Sequence, residues 1–86
     1  MRIQGAVIRE QGVTFAVVVV KQHVIDSRSE ADRAIAAFQP LFPGVPVVLM
    51  AQDAWGTPTY YGRRDIADFM ASVPLEVIPW REYSVS

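Results

Sequence analysis

The chain has 86 residues, enough for one compact domain. With 51% of them hydrophobic and 20% charged, a disordered tail, a collagen-like repeat and a highly charged arm are excluded. Eight Lys plus Arg against nine Asp plus Glu leave a net charge of −1, with no global pull toward nucleic acid or an anionic membrane. Zero cysteines remove disulfides, thiolate metal sites and cysteine nucleophiles.

Ile3 to Arg9 and Val13 to Lys21 read as two strands joined by Glu10-Gln11-Gly12, with glycine supplying the positive φ of a short hairpin loop. The second strand is β-branched and apolar on both faces, which suits a sheet interior covered above and below. Ser27 with Glu30 fits a capping box, and Ser29 with Asp32 is the competing register. Ala31, Ala34, Ile35 and Phe38 then share one helical face, so the spacing predicts a helix over Arg28 to Gln39, stopped by Pro40. Val45 to Ala51 is a third strand, apolar on both faces, with Pro46 near its start. A loop, Gln52 to Gly56, leads into a short fourth strand, Thr57 to Tyr61. A second helix spans Arg63 to Ser72, where Ile66, Phe69, Met70 and Val73 form one stripe. Pro74 ends it. Leu75 to Ile78 is expected as a short edge strand, followed by an extended polar tail over residues 79–86.

The order β-β-α-β-β-α, with a last β, implies a single α+β domain: a four- or five-stranded mixed sheet with both helices packed on one face. If the second and third strands are parallel, the helix between them makes a right-handed crossover. On that arrangement the other sheet face has only the tail to cover it. A bare apolar face is normally an interaction surface, and twofold pairs are the commonest assemblies. The expectation is therefore a homodimer through the sheet face or edge, the alternative being that Trp80 and Tyr83 fold back as a cover.

Trp55, Tyr60, Tyr61, Arg63 and Arg64 are the candidate ligand-binding residues. Two arginines in the first turn of a helix oppose its dipole and suit a phosphate or carboxylate, on which the aromatics could stack. The structural alternative has Asp65 offsetting the dipole and Arg64 pairing with Asp68 at i, i+4. Gly62 stands in no glycine-rich loop and reads as a turn residue. His23, the only histidine, has no nucleophile set against it, so no catalytic residue is assigned. No metal site and no cofactor are expected, and Asp53 is expected to cap a turn. Arg63, Arg64, Arg81 and the aromatics form too mixed a patch for nucleic acid, because Asp65, Asp68, Glu76 and Glu82 interleave with them.

The opening residues lack a charged region followed by a long apolar run, and the longest apolar stretch, Phe15 to Val20, falls far below the ~20 residues of a spanning helix. A cytoplasmic location without membrane contact is the expectation. Val45 to Met70, with Thr57-Pro58-Thr59 at its centre, loosely resembles the C-terminal half of thioredoxin-like domains. The chain has no Cys-x-x-Cys and its opening hairpin departs from that topology, so no family is assigned. The whole reads as a small non-enzymatic binding or adaptor domain, with a small-ligand module holding an anion at the second helix as the alternative.

Overall fold

The computed structural model describes residues 1–10 and 12–85. Five strands, β1 (Arg2–Glu10), β2 (Val13–Val19), β3 (Val47–Gln52), β4 (Pro58–Tyr61) and β5 (Arg81–Ser84), form one sheet in the order β4-β3-β2-β1-β5. Only β2 and β3 are parallel; β1 pairs antiparallel with β2 and β5, and β3 with β4. The helices are α1 (Gln22–Asp26), α2 (Arg28–Phe38) and α3 (Arg64–Met70). This is the expected α+β class with a five-stranded mixed sheet.

The hairpin of β1 and β2 turns through Gly12 at φ +79°. Ser27 caps α2, its hydroxyl accepting the Glu30 amide at 3.3 Å, as the capping pattern implied. Pro40 then tightens the chain into a 3-10 turn over Gln39–Leu41. A parallel β2–β3 pair requires a crossover, and α1 and α2 supply it.

The helices do not share a face. Ala31 of α2, with Phe42 beyond it, packs on Ile3, Ala16, Val18, Val47 and Leu49. Ile66 and Met70 of α3, with Ile78, pack on Ala6, Phe15, Val17, Val48 and Met50 on the opposite side. The reason is topological. β4 is one edge of the sheet and β5 the other, so the chain between them must cross the whole sheet. One face is already occupied by the crossover helices, and α3 takes the free one.

That placement corrects the expectation of two helices on one face and removes the argument for a homodimer through a bare sheet. Phe15, Val17, Val18, Val48 and Leu49 are all 2% exposed or less within one chain. Burying each such side chain contributes roughly 1.5–3 kcal/mol, and no second copy is needed to bury them.

The C-terminal quarter also differs from expectation. Leu75–Val77 is a 3-10 turn rather than an edge strand, since Pro74 and Pro79 leave little room for a ladder and Trp80 Nε1 donates to Leu75 O at 3.2 Å. The fifth strand lies in the polar tail instead, at Arg81–Ser84. Tyr83 of β5 anchors it by an edge-to-face contact with Phe42, ring centroids 5.1 Å apart.

Candidate functional site

The loop between β3 and β4 is a rigid turn. Asp53 Oδ1 accepts the amides of Trp55 (2.8 Å) and Thr57 (2.9 Å), as its solitary position in a loop implied. The Asp53 amide also donates to Thr57 O and the Gly56 amide to Asp53 O, each at 3.0 Å, and Gln52 Nε2 donates to Gly56 O at 3.0 Å. With its backbone so held, Trp55 stands 87% exposed at the tip. A bare indole on an ordered turn is unusual, because large aromatics gain most from being covered.

Tyr60 and Tyr61 are neighbours on β4 and therefore point to opposite faces. Tyr60 packs against the α3 cluster. Its hydroxyl is buried without a hydrogen-bond partner, and burial pushes the phenol above its ordinary range. Tyr61 turns to the α2 side, where its hydroxyl donates to Asp32 Oδ1 at 2.8 Å. That hydrogen bond is the main reason its phenol is pushed up, with the nearby Arg28 acting the other way.

At the start of α3, Arg63 grips Asp65 with two parallel bonds, Nε to Oδ1 and a terminal nitrogen to Oδ2, both 2.8 Å. The pair holds the Asp65 carboxyl below its usual range. Asp65 thus offsets the arginine-rich first turn, but through Arg63. The expected Arg64–Asp68 pair is not formed; among the described residues the ion pairs are Arg63–Asp65 and Arg2–Glu82. An anion here would have to displace Asp65 from Arg63, and α3 is only Arg64–Met70 long.

The candidate residues thus fall in separate places: Trp55 at the hairpin tip, Tyr60 under α3, Arg64 exposed on α3, and Tyr61 with Arg63 in a cleft against α2. This cleft, of about 370 Å³, is also lined by Asp32, Ile35 and Gln39. Gln39 Nε2 is engaged there by Phe42 O (2.9 Å) and Val45 O (2.7 Å), so it fixes the cleft wall. Asp32 and Gln39 escaped sequence reasoning. A signal existed, since Arg28, Asp32, Ile35 and Gln39 follow i, i+4, i+7, i+11 and form one stripe along α2 and its C-cap.

His23 lies exposed on α1, beside a shallow hollow with Glu30 and Arg33. Among the described residues no group of three His, Cys, Asp or Glu side chains could hold a metal ion, and no helix is long and apolar enough to cross a membrane. Comparison with known protein families, with curated proteins and with solved structures finds no match for this chain.

Proposed function

We propose that this chain is a non-enzymatic protein-binding domain that engages its partner through the β3–β4 hairpin, with Trp55 as the anchor. The observation behind this reading is the indole, 87% exposed on a turn that Asp53 and Gln52 hold in place. Tryptophan is among the residues that dominate binding energy at interfaces. An anchor whose backbone is already held by the turn loses less main-chain freedom on association.

Immobilised wild-type protein and variants provide the test, with retained proteins quantified from a lysate of the source organism. A partner held by wild type and by Trp55→Phe, but lost with Trp55→Ala at unchanged thermal stability, supports the reading. Identical retention by all three would overturn it.

Self-association belongs to the same proposal at a sheet edge rather than a face. The Asp53–Thr57 bond sets the ladder alternation, which turns the backbone of Pro58 and Tyr60 outward on β4. Pro58 has no N–H, so that edge is blunted. On β5 the mutual Met1–Val85 bonds (2.7 and 3.2 Å) leave Glu82 and Ser84 facing outward, and both can donate. Sedimentation over a wide dilution series tests an edge dimer. A species that stays monomeric at high concentration excludes it.

A further inference from the structure

A groove runs over the α3 face between that helix and the β1–β2 hairpin. Phe69 and Glu10 divide it into two adjoining hollows of about 200 Å³ each. The first is lined by Val13, Phe15, Asp65 and Ile66 beside the shared pair. Its floor is apolar, with Phe15 buried and edge-on to the half-buried Phe69 at 6.4 Å between ring centroids. The second hollow continues over Ile8, Val73 and Ile78 to Pro79 and is apolar apart from Glu10.

The two carboxylates of the groove are not equivalent. Asp65 is already matched by Arg63, whereas Glu10 makes no ion pair among the described residues. Apolar walls ending in an unanswered carboxylate complement a side chain with an aliphatic stem and a cationic end, the make-up of lysine and arginine. A guanidinium or ammonium over the Phe69 ring gains further from the ring's quadrupole. The neighbouring hollow suits an apolar side chain two residues along, because alternate residues of an extended segment share one side.

We infer that this groove docks an extended segment of a partner protein, with a lysine or arginine at Glu10 and Phe69 and an apolar side chain two residues on in the second hollow. The site is independent of the Trp55 hairpin. β2 and β3 run parallel, so the start of β2 and the loop beyond the end of β3 lie at opposite ends of the sheet.

Amide-resolved NMR titration of the full chain with the capped peptide Ser-Arg-Ser-Leu-Ser tests this. The expected result is saturable shifts at Glu10, Val13, Ile66 and Phe69 in the millimolar range, weakened by added salt. Glu10→Gln, a change at an exposed position, should weaken binding about tenfold. Trp55→Ala should leave it unchanged, which separates this site from the hairpin reading. The inference is overturned if the same peptide with Glu in place of Arg shifts these amides equally. It is overturned as well if the arginine peptide leaves them unmoved.

Discussion

Two adjacent tyrosines with different surroundings should respond in opposite ways to loss of a hydroxyl. Tyr60 keeps its hydroxyl buried with no partner, and an unsatisfied buried polar group is a cost to the fold. Tyr60→Phe should raise stability by about 1 kcal/mol in denaturant unfolding. Tyr61→Phe should lower it, because the bond to Asp32 across to α2 is lost. The pair Arg63–Asp65 offers a test in pH. Asp65 titrates below the ordinary carboxylate range because Arg63 holds it. A depressed folded-state pKa contributes stability that is present above the unfolded value, near pH ~3.9, and lost as pH falls through the folded one. In Arg63→Ala the Asp65 midpoint followed by NMR should move up. At Gly62 the backbone, with φ +153°, passes so close to β3 that an added Cβ would lie 3.0–3.1 Å from Val48. Gly62→Ala should therefore destabilise by about 1–3 kcal/mol. The sequence marked Gly62 only as a turn residue, because a close approach to β3 depends on the register of strands distant in the chain.

At the scale of elements, what a segment does locally was readable and what it packs against was not. Ser27 announced α2, and the spacing of Ile66, Phe69, Met70 and Val73 announced a buried stripe on the second helix. The cap of α2 appears as read, but α3 stops at Met70 rather than Ser72. Val73 lies beyond it and, like Phe69, is only partly buried, with Ile66 and Met70 as the buried part of the stripe. Met70→Ala should accordingly cost about 2–5 kcal/mol and Phe69→Ala less than a buried phenylalanine would, in the same unfolding assay. The apolar content of β2 and β3 on both sides was equally plain. Those strands need two covers and the chain has two principal helices. Assigning one to each face satisfies the pattern, but nothing in the helices' own residues states a side. Helix α1 left even less trace. It is five residues long, has no side-chain cap, and is held by Val24 and Ile25 packing on the α2-side cluster. β5 reads as polar tail because its sequence offers one aromatic, and Tyr83 becomes a strand anchor only once Phe42 is beneath it.

For the molecule as a whole, protection should be graded across the sheet. β2 has strands on both sides and helices on both faces, and residues Phe15 to Val18 are 2% exposed or less. Its amides and those of β3 should exchange with solvent most slowly, at rates set by global unfolding, while β4 and β5 should exchange through local opening. Equal protection in β5 and β2 would mean that the edge is more firmly held than its few contacts suggest. The pairing of Arg2 with Ser84 has a further meaning for biosynthesis. β1 emerges from the ribosome well before the outer neighbour it pairs with, because β5 is made only after β2, β3 and β4. Until then that flank of the nascent sheet is open to strangers. Translation pauses short of Arg81 should leave stalled chains dependent on chaperones, whereas chains extended past Ser84 close the flank themselves.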